Sequence, residues 1–204
     1  ADDALQTLLY LAGLPNDSGR TSPTAQAAVV NLSLGFRQSE CPGPIADAFA
    51  AARARGVIPI ASAGNDNNAN FAWPAGCPGV VSVSATDVID QRAPYSSFGP
   101  NVDVAAPGGD VSVDRNADGY ADGVLSTTFN DSVAPREADY QFKNGTSMAA
   151  PHVAGVAALM KAAHPGLTPE QFDQALMSGA LTVDLAGNGA SVRDDLFGYG
   201  LIDA

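Results

Sequence analysis

Asn144-Gly145-Thr146-Ser147-Met148-Ala149-Ala150-Pro151-His152-Val153-Ala154-Gly155 passes from a glycine turn into an apolar run that continues to His164. Apolar residues all round predict a helix from Ser147 to His164 buried in the middle of the fold. Pro151 falls in its first turns, where it forfeits about one backbone hydrogen bond. The entrance of a helix has N–H groups without intrahelical acceptors and carries the positive end of the dipole. A serine there is ordinarily a plain N-cap. At the mouth of a buried helix it can also be a nucleophile whose oxyanion those donors stabilise.

Upstream of this stretch, helix and strand alternate. Asp3 to Leu11 places Leu5, Leu8 and Leu9 on one helical face. Ala28 to Leu34 reads as a buried strand ending at Gly35, and Ile45 to Arg55 as an Ala-rich helix stopped by Gly56. Val57–Ala61, Val80–Ala85 and Val102–Ala106 read as three more strands. Such alternation predicts an α/β fold, a mostly parallel sheet with helices on its faces. After Gly109 the pattern dissolves into an acidic, glycine-punctuated loop reaching about Lys143, a length uncommon in loops that bind nothing. A last helix starts at Thr168-Pro169, with Thr168 as N-cap. No internal repeat or domain linker interrupts the 204 residues, so they read as one domain.

Composition narrows the function. The formal charge is −12, from 10 basic and 22 acidic residues, which argues against a nucleic-acid partner. The longest apolar stretch, Met148 to Met160, contains Pro151 and His152 and is too short to span a membrane. Cys41 and Cys77 sit in Pro/Gly-rich turns. They could be inert thiols, a metal half-site or a disulfide. The C-x-x-C spacing and a nearby histidine are both lacking, so a disulfide and an oxidising compartment are expected.

The string from Asn144 to Gly155 resembles the nucleophile motif of the subtilisin-like serine proteases at every fixed position. Val30 to Gly35 is similar to that family's substrate-binding strand, and Ala61-Ser62-Ala63-Gly64-Asn65 to its strand bearing the oxyanion asparagine. Tyr95–Pro100, Val104–Gly108 and the closing Gly198–Ala204 agree with it as well. The resemblance implies a three-layer αβα fold and a serine endopeptidase acting on polypeptides through an acyl-enzyme on Ser147. Asn65 would donate to the oxyanion. Ser33, Leu34, Gly35, Ala63, Gly64 and Ala72 would bind an extended peptide, an added strand in effect. In secreted bacterial members cysteines occur at comparable places, so an extracellular protein is expected.

The nucleophile needs a histidine base and a carboxylate to orient it. The family carries them on an Asp-Thr/Ser-Gly strand and a His-Gly-Thr-His helix, and neither motif occurs in these residues. His152 follows the nucleophile inside the helix and reads as structural, while His164 reads as a cap of the helix end. The chain is therefore expected to be the C-terminal portion of a catalytic domain, inactive alone, with its N-terminal strands, Asp and His upstream. Any secretion signal would lie outside it too.

Independently of that resemblance, Asp114-Arg115-Asn116-Ala117-Asp118-Gly119-Tyr120-Ala121-Asp122-Gly123 matches an EF-hand-like calcium loop. Side-chain oxygens of Asp114, Asn116, Asp118 and Asp122, and the carbonyl of Tyr120, would be the ligands. Leu125 replaces the bidentate acid, so Asp110, Asp131 or water would complete the shell. The alternative is a solvated acidic turn. A rival to the whole enzyme reading is a non-catalytic calcium-binding or interaction module retaining the fold. An α/β-hydrolase is weaker, since Gly145-Thr146-Ser147-Met148-Ala149 lacks the second glycine of its elbow.

Overall fold

A computed structural model describes residues 2–37, 40–70, 72–189 and 191–203. Ala204, the last residue of the closing stretch read above, lies outside them. In chain order the elements are α1 (Asp2–Leu11), β1 (Val29–Leu32), β2 (Phe36–Arg37), α2 (Gly43–Ala54), β3 (Ile58–Ser62), β4 (Ala72–Trp73) and β5 (Val81–Thr86). Then follow β6 (Val104–Pro107), β7 (Val124–Asn130), β8 (Glu137–Lys143), α3 (Thr146–Ala163), α4 (Pro169–Met177), β9 (Thr182–Val183) and β10 (Leu201–Ile202).

The main sheet has the order β1-β3-β5-β6-β10-β9 and is parallel apart from β9. Period-two geometry sends alternate side chains to opposite faces. Ile58 and Ile60 of β3, with Val81 and Val83 of β5, pack under α3 and α4 around Phe172. Ala61 of β3, with Val30 and Leu32 of β1, packs on the other face beneath α1 and α2 with Leu8 and Phe49. These two cores make three layers, helix, sheet, helix. Thr168 caps α4 in a capping box with Gln171, which fixes where that helix begins. Among the described residues no helix is long and apolar enough to cross a membrane.

Two expectations are corrected. The stretch from Gly109 to Lys143 is not loop throughout. Its second half is an antiparallel hairpin, β7 with β8, in register from Val124↔Lys143 to Asn130↔Glu137. And α3 is not buried all round: Val153 and Ala157 face the sheet, but Pro151, His152, Gly155 and Leu159 face outward, Leu159 being 69% exposed. An apolar pattern with no polar side leaves helix orientation unreadable, so burial was inferred for both faces.

Candidate active site

The C-terminal ends of β1 and β3 and the entrance of α3 meet at one place. Gly145 precedes α3 with φ +148°, a region in which residues with a Cβ are strained. This turn lets Ser147 stand at the second helical position. Met148 and Ala149 N–H both donate to the Gly145 carbonyl, and Thr146 N–H donates to Asn65 Oδ1 at 2.9 Å. Among the described residues the Ser147 N–H has no acceptor, so a free donor of the helix entrance lies beside the hydroxyl.

Asn65 reaches the same spot from the end of β3. Its Oδ1 also accepts the Thr146 hydroxyl at 2.9 Å, and that hydroxyl oxygen accepts the Gly64 N–H at 3.2 Å. The carbonyl end of the amide is thus fully engaged, which orients the other end. A Cβ placed on Gly145 would stand 3.4 Å from Asn65 Nδ2, 3.6 Å from the Ser147 nitrogen and 3.7 Å from Asn65 Oδ1, so the Asn65 amide and the Ser147 N–H are neighbours at this turn. Ser33 donates its hydroxyl to the Ser147 carbonyl at 2.8 Å and ties β1 to the helix entrance.

A cavity of about 320 Å³ opens at this junction. Ser33, Leu34, Gly35, Gly64, Asn65, Ala72 and Ser147 all line it. Ala63 does not; it is buried in the strand extension and donates to the Val83 carbonyl. The sequence reading missed Thr146 as the lock on Asn65. It also missed the clamp beneath the Asn65 loop. Ser97 N–H donates to the Gly64 carbonyl, Asn67 N–H to Tyr95 and Phe98 N–H to Asn68. Arg92 lies over the Phe98 ring and donates to Asn67 Oδ1 at 2.9 Å and to the Ser96 carbonyl. Behind the turn, Tyr95 donates to the Gly109 carbonyl, and burial pushes its phenol up to about 12.

A second cavity, about 440 Å³, lies on the other side of Ser147. Its walls are Met148, Pro151 and His152 of α3 together with Ser126, Thr128, Gln141 and Lys143 of the hairpin. His152 Nδ1 is 2.8 Å from the Met148 carbonyl oxygen. His164 is exposed just beyond α3 and donates its backbone N–H to Met160.

The acidic loop closes upon itself. The Asp114 carboxylate accepts the N–H groups of Asp118 and Gly119, Asp118 accepts that of Tyr120, and Asn116 Nδ2 donates to Asp118. Asp122 is buried and accepts the Arg115 N–H at 2.7 Å, and Tyr120 is exposed. Among the described residues no three acidic, histidine or cysteine side chains gather closely enough to hold an ion. Arg115 reaches from this loop to the buried Asp87 at 3.4 Å.

Cys41 and Cys77 form a disulfide, with Cα atoms 5.2 Å apart. Cys41 follows β2 and Cys77 follows β4 in the chain, and the β2–β4 ribbon, Phe36↔Trp73, lies beside the cavity at Ser147.

The family model for the subtilase family matches residues 10–200. The chain is similar to the extracellular protease of Xanthomonas campestris pv. campestris, 35% identical over 189 residues, covering 92% of this chain and 29% of that protein. It is 34% identical over 179 residues to subtilisin BL of Lederbergia lenta, covering 86% of this chain and 54% of that one. Among solved structures, a protease from Pseudoalteromonas arctica superposes with a TM-score of 0.83 at 35% identity, over 99% of this chain and 56% of that chain. The chain therefore spans between 29% and 56% of the length of these relatives.

Proposed function

Since the chain belongs to the subtilase family, we propose that it is the nucleophile-bearing part of a secreted serine endopeptidase. The observation that supports this reading is the lock of Thr146 on Asn65, which holds the Asn65 amide beside the free Ser147 N–H at the helix entrance. Ser147 Oγ attacks the peptide carbonyl in the cavity lined by Ser33 to Gly35, Gly64 and Ala72. Asn65 Nδ2 and the Ser147 N–H take up the negative oxygen, and the leaving amine departs to give an acyl-enzyme that water hydrolyses. The Ser147 proton needs a base. Neither histidine of the chain is held against Ser147, so an upstream segment supplies base and carboxylate, entering the 440 Å³ cavity between α3 and the hairpin. The chain alone is then inactive.

The test is labelling by a fluorophosphonate. The longer parent reacts at Ser147 and hydrolyses peptides, while the 204-residue chain does neither at a comparable rate. Robust turnover by the chain alone would refute the division of the site. Relatives named extracellular, together with the Cys41–Cys77 bridge, support secretion.

Calcium in the loop of Asp114, Asn116, Asp118, Tyr120 and Asp122 is part of the same proposal. Asp114, Asn116 and Asp118 already share one hydrogen-bonded turn. Asp122 would have to leave the Arg115 N–H to join them. When bound, the ion would order the loop that leads into β7. Chelation and Asp118→Ala should both speed proteolysis within the loop; unchanged cleavage in both would remove the ion from the picture.

A further inference from the structure

The two donors proposed for the oxyanion stand on different segments, Asn65 just beyond β3 and Ser147 at the entrance of α3. Their spacing must be held by something that touches both. Tyr95 does so at the level of their supports. Its main-chain carbonyl accepts the Asn67 N–H at 2.9 Å, two residues past Asn65. The contact continues at Ser97, which donates its N–H to the Gly64 carbonyl and accepts the Asp66 N–H on Oγ at 3.3 Å. Residues 95–97 therefore back the chain on either side of Asn65.

The phenol of the same residue reaches the other support. It donates to the Gly109 carbonyl at 2.7 Å. The neighbouring Gly108 gives its own carbonyl to the Gly145 N–H at 3.0 Å, and Gly145 is the turn from which α3 starts. The approach is close. A Cβ on Gly108 would stand 2.9 Å from both the Gly145 oxygen and the Tyr95 hydroxyl, and would collide with Ala85 Cβ. The Gly108 and Gly109 N–H groups both donate to the Thr86 carbonyl, so β5 fixes one side of the glycine pair and the phenol fixes the other. Burial, opposed by the Gly145 backbone and the Asn144 side chain, pushes the phenol up to about 12, so it remains a donor across the neutral range.

We infer that Tyr95 is a positioning residue for the proposed oxyanion site, its hydroxyl setting the spacing between the Asn65 amide and the Ser147 N–H. Tyr95 does not line the cavity at Ser147, so it acts through the two turns. Donors stabilise a developing charge only when they are in place beforehand, and a displacement of about 1 Å can cost about a hundredfold in rate. Phenylalanine fills nearly the same space and keeps the main-chain bond to Asn67, so Tyr95→Phe removes the brace alone. The inference rests on the endopeptidase reading for what the two donors stabilise, but the brace itself is measurable without turnover.

The test uses the longer parent carrying Tyr95→Phe, alone and together with Asn65→Leu. The single variant should lower kcat roughly tenfold with KM little changed, since aimed donors act in the transition state. Over Asn65→Leu the same substitution should cost about twofold or less, because the donor that it aims is gone. Equal losses in the two backgrounds would make Tyr95 a structural residue only. A loss confined to KM, or no loss, would also overturn the inference. Amide hydrogen exchange of the parent, read by mass spectrometry, needs no catalysis. Tyr95→Phe should speed exchange around Gly145 by about tenfold and leave α4 unchanged. Unchanged exchange at Gly145, or faster exchange throughout the molecule, would overturn the brace. Should the wild-type parent neither label at Ser147 nor cut peptides while exchange at Gly145 still responds, the endopeptidase reading fails and the brace stands.

Discussion

An amide side chain has two ends, and at Asn65 one of them is fixed by Thr146 through two bonds to Oδ1. Turning the amide over would set two donors against the NH2 group and forfeit both bonds, each worth about 1 kcal/mol net. The amide is thus held in one orientation without help from substrate, the preorganisation that the proposed oxyanion role of Asn65 requires. In the active parent Asn65→Leu should lower kcat by roughly 10²–10³ with KM little changed, the range known for such a donor in a subtilisin. A loss confined to KM would place Asn65 in binding instead. Asp103 raises a different question at the opposite ends of the strands. Burial, opposed by the Ser82 N–H and then reinforced by Asp173, pushes its carboxyl up to about 6. Between the ordinary carboxylate value and 6 the native state binds more protons than the unfolded one, so this group's contribution to stability falls as pH rises through that window. Asp103→Asn keeps an acceptor for Ser82 and removes the buried charge. Its melting temperature should exceed that of the wild type at pH 8, and the gap should close by about pH 4. A gap independent of pH would assign the gain to packing.

Among the elements, those with two buried faces were readable. The central strands β3 and β5 are continuous buried runs, and in the sequence they stand out as short apolar stretches bounded by glycine or proline. β7 and β8 touch no core, so their alternation is a thin one, Leu125 and Phe129 against Ser126 and Thr128, diluted by the Asp, Arg and Glu around Pro135. A strand stabilised only by its partner gives no burial signal. The outward stripe of α3 was hidden for the converse reason, because most of its positions, Leu159 among them, are apolar enough to be inside. The site was legible as motifs, Ser147 and Asn65 among them, but the lock was not: Thr146 and Asn65 lie 81 residues apart and meet only through the sheet. The cysteines were legible as a pair of turns, and the ribbon that they brace was not. Their bridge closes a separation of 36 residues, for which chain entropy gives about 4 kcal/mol. Cys41→Ala with Cys77→Ala should lower the unfolding free energy by about 2–4 kcal/mol in denaturant titration. In the parent it should raise KM more than it lowers kcat, since the β2–β4 ribbon flanks the peptide cavity. Unchanged stability would mean that the ribbon holds its shape by the Phe36–Trp73 contact alone.

The molecule as a whole presents two surfaces that further chain could cover. One is the stripe of α3 from Pro151 to Leu159; the other is the outer edge of β1, which pairs with β3 and with no second strand among the described residues. An open parallel edge and a bare apolar helix face each carry a cost, in unpaired backbone groups and in wetted hydrocarbon. Pro151 and His152, at the start of the α3 stripe, also line the second cavity, where the proposed base would enter. The Pseudoalteromonas arctica structure, of which this chain matches 56%, has further chain enough to cover them. If the proposed upstream half docks there, the two halves made as separate chains should associate, because the driving force is burial and not the peptide bond that joins them. Mixing them should restore fluorophosphonate labelling of Ser147 and reduce binding of a hydrophobic dye to the chain. Leu159→Glu should abolish both effects while leaving the chain folded, since its side chain meets solvent there already. Full reconstitution by the Leu159→Glu variant would mean that the halves meet elsewhere, and that the stripe on α3 serves some other contact.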